Sequence, residues 1–137
     1  PIDPSTIQAY LETEYCVHGD ATAILQVGVA CAELADLHQA HAADCSAFIT
    51  AYNPFSQALG DAANAERQTA LAHELKHRSL SFIDGVGQHP SNQWPGEASF
   101  LVLGLTFEAA KRLGEQFEQN AIIWSGADAV PRLILLR

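Results

Sequence analysis

The sequence predicts an α/β or α+β fold: a single domain over residues 1–137, with about four helices packed on a mixed sheet of about five to seven strands. Three observations lead to this prediction. Segments with helical periodicity alternate with short β-branched runs along the whole chain. The length of 137 residues fits one domain. The last two runs are joined by a short connection, which predicts a C-terminal hairpin and therefore a mixed rather than a wholly parallel sheet.

Four segments carry helix signals. Asp3 is a good N-cap and Pro4 fits the first helical position. Ile7, Tyr10 and Leu11 then form one apolar stripe. Asp61 and Thr106 are the predicted caps of the third and fourth helices. The predicted helices cover residues 4–14, 31–42 and 61–78 and a segment that follows Thr106.

Seven runs have strand character, and SFLVLGL at 99–105 is the strongest of them. Pro54 ends the run at 46–52, since proline lacks the N–H that a ladder needs. Residues 84–97, DGVGQHPSNQWPGE, are predicted to be a loop because they are rich in Gly and Pro. The predicted strands cover residues 15–17, 24–29, 46–52, 79–83, 99–105, 121–124 and 132–136.

The charge balance argues against some partners. Lys and Arg together number 7 and Asp and Glu 16, so the net charge is −9. Nucleic acids and anionic membranes are bound largely through clustered cations, and the chain has no run of Lys or Arg. We therefore expect neither a nucleic-acid nor a membrane partner, and the sequence leaves the oligomeric state open.

Cysteine usage and the chain's opening residues bear on compartment. Cys16, Cys31 and Cys45 make an odd number without a CxxC pair, which favours reduced thiols over a disulfide framework. No apolar stretch has the length of a membrane span, and no signal peptide opens the chain. A cytoplasmic location is expected.

The sharpest motif is HELKH at 73–77, which matches HExxH. On a helix, His73 and His77 can bind one zinc ion while Glu74 acts as a base on zinc-bound water. The helical arrangement argues against this function, because Leu71 and Leu75 define the buried side and the two histidines fall nearly opposite. A solvent-exposed helix face is the simpler interpretation, and no cofactor is predicted.

A second group of possible ligands lies at Cys31, His38, His41 and Cys45. Sulfur and imidazole are zinc ligands, but the spacing C-x6-H-x2-H-x3-C matches no standard zinc site. Small buried cysteines and packed histidines explain these residues more simply.

Polar residues cluster at the ends of predicted strands, where ligand sites of α/β proteins tend to form. Such side chains also serve as caps and turns, so a structural role is the alternative. The clustered residues are Asn53, Ser56 and Gln57 after the 46–52 run, Trp94, Glu97 and Ser99 around the start of the 99–105 run, and Gln119 and Asn120 before the 121–124 run.

Four segments in order resemble a family of bacterial proteins of unknown function, DUF3293, over about residues 45–125. They are AFITAYNPFSQ (47–57), the helix bearing Asn64 and Arg67, WPGEASFLVLGL (94–105) and LGEQFEQNAIIW (113–124). The resemblance implies a small single-domain protein, without naming an activity. The polar positions that it matches are Asn53, Ser56, Asn64, Arg67, Glu97, Ser99, Gln119 and Asn120, with the turn residue Pro54.

Three functions from different classes follow. The first is a small polar-ligand site, either for binding alone or for catalysis, with Glu97 as acid or base, Arg67 as anion clamp and the Trp94 loop as a lid. It predicts that Asn53, Arg67, Glu97 and Asn120 meet in one pocket. The second is a protein-interaction module, which predicts an apolar patch near Trp94 and no deep pocket. The third is a zinc hydrolase built on HELKH. Whether the protein is an enzyme, and what its substrate is, stays open.

Overall fold

A single sheet of seven strands organises the molecule, in the order β2-β1-β4-β5-β3-β6-β7. The computed structural model describes residues 1–137. All six pairs of neighbouring strands are antiparallel. The strands are β1 (Glu14–His18), β2 (Thr22–Leu25), β3 (Ser46–Ile49), β4 (Phe82–Gln88), β5 (Glu97–Leu103), β6 (Ala121–Ser125) and β7 (Pro131–Leu135).

Four helices accompany the sheet, so the predicted single domain, α/β or α+β with about four helices and about five to seven strands, is confirmed, and it is of the α+β class. None of the helices has the length and hydropathy that crossing a bilayer requires. Asp3 caps the first helix as predicted, since its carboxylate accepts the backbone N–H of Ser5 at 2.9 Å. The helices are α1 (Pro4–Glu12), α2 (Ala32–Ala40), α3 (Asp61–His77) and α4 (Phe107–Gln116).

The sheet is antiparallel throughout, whereas a mixed sheet was expected. The alternation of helices and strands suggested parallel neighbours, and the helices do connect strands that run in the same direction. The strands joined by α3 and by α4 are each separated by one inserted strand of opposite direction: β5 lies between β3 and β4, and β3 lies between β5 and β6. Strands β2 and β3, which are joined by α2, are separated by three strands. Sequence alternation predicts a crossover but not which strand is inserted beside it.

Two apolar cores cover the two faces of the sheet. The first contains Tyr15, Val17, Leu34 and Phe48 and is covered in part by α2. The second contains residues of α3 and α4, including Leu71 and Leu113, against the opposite face. Successive strand residues alternate between the two cores, so Glu97, Ser99 and Leu101 all belong to the first face.

The predicted strand at 79–83 and loop at 84–97 are both shifted in the structure. Strand β4 begins at Phe82 and continues through Asp84-Gly85-Val86-Gly87 to Gln88, so only residues 89–96 form the loop. Gly85 is required where it lies, because a Cβ there would approach the Cys16 carbonyl oxygen to 2.4 Å and the Phe48 ring to 2.9 Å. The glycine that looked like a loop signal therefore marks close packing within a sheet.

Candidate functional site

A cavity of about 280 Å³ opens at one end of the first face of the sheet. Helix α1 forms one wall, the loop 89–96 another, and the floor consists of strand ends. Seven of the nine site residues predicted from the sequence line it. They are Asn53, Ser56, Trp94, Glu97, Ser99, Gln119 and Asn120.

Glu97 is the only acidic residue in the lining. One of its carboxylate oxygens, Oε2, accepts the Asn53 side-chain amide at 2.7 Å and the Trp94 indole N–H at 3.1 Å. The other oxygen has no protein hydrogen-bond partner and is not sealed from solvent. Burial raises the pKa of Glu97, and the bonds from Asn53 and Trp94 oppose that rise. The free oxygen is therefore the natural contact for a bound molecule.

Asn53 is held in place by Asn64 of helix α3. The Asn64 side chain accepts the Asn53 backbone N–H at 2.8 Å and donates its amide to the Asn53 side-chain oxygen, also at 2.8 Å. The same Asn53 oxygen accepts the backbone N–H of Leu59 at 2.9 Å. Asn64 is buried and lies outside the cavity lining, so it orients Asn53 rather than contacting a ligand.

The segment that carries Asn53 and Ser56 has a strained backbone. Asn53, Phe55 and Ser56 have φ values of 46°, 54° and 58°, in the left-handed region. For L-residues that region costs roughly 1–2 kcal/mol per residue, less for Asn. Hydrogen bonds offset the cost: the Phe55 N–H donates to the Glu118 carbonyl at 2.7 Å and the Ser56 N–H to the Asn53 carbonyl at 2.8 Å. Strain of this kind concentrates at functional sites.

Two hydroxyl groups form a second polar cluster in the cavity. Tyr10 of α1 and Ser56 share a short hydrogen bond, and the Asn120 amide donates to each hydroxyl oxygen at 3.1 Å. The Asn120 side-chain oxygen in turn accepts the Arg137 guanidinium at 3.2 Å. Because only one hydroxyl proton is used between Tyr10 and Ser56, the other remains available to donate to a ligand.

Gln119 and Ser99 line the cavity while bonding mainly to backbone. The Gln119 amide donates to the Tyr52 and Phe117 carbonyls, each at 3.1 Å. The Ser99 hydroxyl donates to the carbonyl of Glu97 at 3.0 Å. Their oxygens shape the wall, but their donors are already engaged.

The loop 89–96 is tied down at both ends. His89 Nδ1 accepts the backbone N–H groups of Ser91 and Asn92, at 3.1 and 2.9 Å, so the ring proton is on Nε2, which lies 2.8 Å from the Glu12 carboxylate. Trp94 remains 41% exposed although its indole N–H bonds Glu97. Trp94 therefore lines the cavity while part of its side chain faces solvent.

Arg67 does not face Glu97 and is absent from the cavity lining. Its guanidinium donates to the carbonyl oxygens of Ala51 at 2.7 Å and Phe117 at 2.5 Å, and it approaches the Glu118 carboxylate at 3.3 Å. These contacts join the end of β3 to the segment that follows α4. The expected meeting of four residues is thus a meeting of three: Asn53, Glu97 and Asn120.

The two suggested metal sites are not assembled. His73 and His77 are exposed on α3, and Glu74 binds Arg78 at 2.9 Å. His38 is buried with Nε2 2.7 Å from the Ser46 hydroxyl, while the Cys45 thiol lies 3.4 Å from the Leu105 carbonyl. No group of three or more His, Cys, Asp or Glu residues that could hold a metal ion is found.

Several cavity residues were missed from the sequence. Tyr10 was assigned only to an apolar stripe, and Thr50 and His89 were not singled out, yet all three line the cavity. Gly87 pairs with Glu97 across the β4–β5 ladder and also lines the cavity. A glycine within a strand was the available signal, because it can mark close backbone packing, as at Gly85, or space beside the strand, as at Gly87.

Fold and site together define a small α+β protein whose antiparallel sheet ends in a polar cavity built around one carboxylate. The chain belongs to the DUF3293 family, described as "Protein of unknown function", whose profile matches residues 49–122. The matched segment includes Asn53, Ser56, Glu97 and Asn120 but not Tyr10. No curated protein and no solved structure gives a significant match.

Proposed function

We propose that the protein binds a small polar molecule in the cavity and that Glu97 exchanges a proton with it. The observation that carries this proposal is the arrangement of Glu97: a largely buried carboxylate with one oxygen held by Asn53 and Trp94 and the other open to the cavity. Burial moves the pKa of Glu97 upward, towards neutral pH. A carboxyl group whose pKa is close to the working pH can both accept and donate a proton.

The rest of the site supports binding and orientation. The free hydroxyl proton of the Tyr10–Ser56 pair supplies a donor, and the open Glu97 oxygen supplies an acceptor. A ligand with one group of each kind would be fixed at two points. Asn64, and the bonds that hold the 53–56 segment, fix this geometry before a ligand arrives, which lowers the entropic cost of binding.

Arg67 has no part in the proposed site, because its guanidinium is bonded to backbone carbonyls away from the cavity. The interaction-module alternative required that no deep pocket exist, and the cavity weighs against it. The exposed histidines of HELKH give no support to a zinc hydrolase.

The proposal is tested by screening small polar fragments against ¹⁵N-labelled protein by NMR. The two tryptophans provide an internal control: the Trp94 indole N–H bonds Glu97, whereas the Trp124 indole N–H donates to the Leu105 carbonyl at 3.0 Å outside the cavity. Binding fragments should shift the Trp94 indole signal and leave that of Trp124 in place. A screen in which no fragment moves the Trp94 signal selectively would refute the proposal.

The proton-transfer part is tested with Glu97→Gln. Glutamine keeps an oxygen that can accept from Asn53 and Trp94, but its amide group is neither an acid nor a base near neutral pH. With a fragment that carries an exchangeable acidic C–H or N–H proton, wild-type protein should accelerate exchange with solvent and the variant should not. Equal exchange rates for the two proteins would contradict the role given to Glu97.

A further inference from the structure

We propose that the ligand of this cavity is a small organic cation, an amine or amidinium, bound to the free carboxylate oxygen of Glu97 against the aromatic wall of the cavity. The inference rests on the proposed binding site and adds the charge class of the molecule that it takes. It follows from three features of the lining: an anion without a counter-ion, the lack of Lys and Arg side chains, and the presence of four aromatic rings.

The carboxylate of Glu97 is buried without a protein cation beside it. None of the ion pairs of the chain involves Glu97. Its two protein partners, Asn53 and Trp94, are neutral donors, and both contact the same oxygen. A buried anion is costly unless a positive charge compensates it, so a cationic ligand would recover electrostatic free energy that the empty site lacks.

The lining contains no Lys or Arg that could receive an anionic ligand. Neither of the two arginines nearest the site in the hydrogen-bond network lines the cavity, and both have protein partners. Arg67 is bonded to the Ala51 and Phe117 carbonyls, and Arg137 bonds Asn120 while its guanidinium lies 4.3 Å from the centre of the Phe55 ring. His89 Nδ1 is occupied by two backbone N–H groups, and Nε2 is paired with Glu12. An anion would thus meet Glu97 without any compensating charge.

Aromatic rings complete the cation site. Trp94, Tyr10, Tyr15 and Phe48 all line the cavity. The face of an aromatic ring attracts a cation within about 6 Å, by roughly 0.5–2 kcal/mol depending on desolvation. A carboxylate combined with surrounding rings is a chemistry suited to amines and amidines. Neutral ligands would gain the contact area but not the charge.

The test compares three probes of nearly the same size and shape that differ in charge: benzamidine, benzamide and benzoate. Dissociation constants are measured by titration of the Trp94 indole signal at pH 7 and low salt, with the wild-type protein, Glu97→Gln and the remote control Glu115→Gln. Glu115 is exposed on α4 and lies outside the cavity. Wild type and Glu115→Gln should bind benzamidine about tenfold more tightly than benzamide, and benzoate least.

In Glu97→Gln the preference for benzamidine over benzamide should disappear. If benzamide or benzoate binds wild type as tightly as benzamidine, the charge assignment is overturned while the binding site stands. A preference for benzamidine that persists in Glu97→Gln overturns it as well, since the cation would then be held elsewhere. If no probe of the series moves the Trp94 signal, the charge assignment also fails, and the fragment screen separately decides the site itself.

Discussion

At the scale of single residues, Glu97 is expected to lower the stability of the fold although the proposed site depends on it. The folded protein keeps a carboxylate where burial disfavours its charge, and two neutral donors offset this only in part. A ligand site commonly carries such a cost, because the groups that bind are not free to satisfy one another.

Glu97→Gln is therefore expected to stabilise the fold at neutral pH. The pKa of Glu97 is raised on folding above its ordinary value of 4.5, so the folded state holds the proton to higher pH than the unfolded chain. The wild-type free energy of unfolding accordingly falls as pH rises from 4.5 through the raised pKa. Urea unfolding at pH 4 and pH 7 measures the effect: the variant should exceed wild type at pH 7 and match it at pH 4.

The control for this comparison is Glu115→Gln, which should follow wild type at both pH values. A variant that is less stable than wild type at pH 7 would mean that the ionised carboxylate gains more from Asn53 and Trp94 than it loses by burial. The sign of the stability difference between Glu97→Gln and wild type at pH 7 thus shows whether burial or the hydrogen bonds from Asn53 and Trp94 have the larger effect on the ionised carboxylate.

Arg67 illustrates a residue whose type suggested one role and whose contacts give another. Removing its side chain leaves the carbonyls of Ala51 and Phe117 without their donor. Arg67→Ala is expected to cost about 2–3 kcal/mol of unfolding free energy, as loss of charge-assisted hydrogen bonds does. Chemical denaturation measures the difference.

The matched control is Glu118→Gln, which removes the ion pair with Arg67 but leaves the two carbonyl contacts. The Glu118 side chain is 50% exposed, so this change should cost less than about 0.5 kcal/mol. Equal losses for the two variants would assign the stabilisation to the ion pair instead. Because Arg67 lies outside the cavity, Arg67→Ala should not change the order in which the cationic, neutral and anionic probes bind. Any loss of affinity in this variant should reflect its lower fold stability.

At the scale of elements, strand β4 contains two glycines, Gly85 and Gly87, that differ in how much space a side chain would have. A Cβ on Gly85 would overlap the Cys16 carbonyl oxygen at 2.4 Å, whereas a Cβ on Gly87 would reach Tyr15 at an ordinary 3.6 Å. Gly85→Ala should therefore cost about 2–3 kcal/mol by overpacking. Gly87→Ala should stay within about 1 kcal/mol of wild type, which thermal or urea unfolding of the pair will measure.

The same pair of variants separates stability from site shape. Gly87 lines the cavity and Gly85 does not. Gly87→Ala should therefore weaken probe binding, as measured by titration of the Trp94 indole signal, although it barely changes stability. A Gly85→Ala protein as stable as wild type would show that β1 and β4 can shift apart without cost, contrary to the packing described.

The helices and most strands were predictable because their signals are local. Asp3 capped α1 as expected, and the predicted helix 61–78 matches α3 over Asp61–His77. The predicted strand 46–52 ended early, at Ile49, since Thr50 to Asn53 leave the ladder to build the site. That departure depends on Asn64, whose contacts with Asn53 lie 11 residues away along the chain. Local propensity contains no term for such a contact.

At the scale of the whole molecule, charge is distributed unevenly. Residues 1–66 contain nine Asp and Glu and no Lys or Arg, while residues 67–137 contain seven of each sign. The entire net charge of −9 therefore arises from residues 1–66, which form α1, β1, β2, α2, β3 and the start of α3. Mutual repulsion there opposes folding, since the folded state brings these groups closer together.

Added salt should therefore stabilise the protein. Raising NaCl from about 0.01 M to about 0.15 M shortens the Debye length from about 30 Å to about 8 Å and screens this repulsion. Unfolding by urea, which adds no ions, should show a higher midpoint at the higher salt concentration. A lower midpoint would indicate that attractive surface pairs, such as Asp128 with Arg132, outweigh the repulsion of the first half.

By itself the sequence determined a single domain of helices packed on one sheet, the approximate number of helices and strands, the family, and the polar residue types that gather near strand ends. Each of these follows from short-range periodicity, caps and motifs. Only the tertiary structure decided that β5 and β3 each lie between two strands that run in the same direction. It also decided that the Arg67 side chain lies outside the cavity and that Tyr10 contacts Asn120, which is 110 residues away along the chain. Strand insertion and side-chain direction depend on contacts between distant segments, and the energy of those contacts is not encoded in any local stretch.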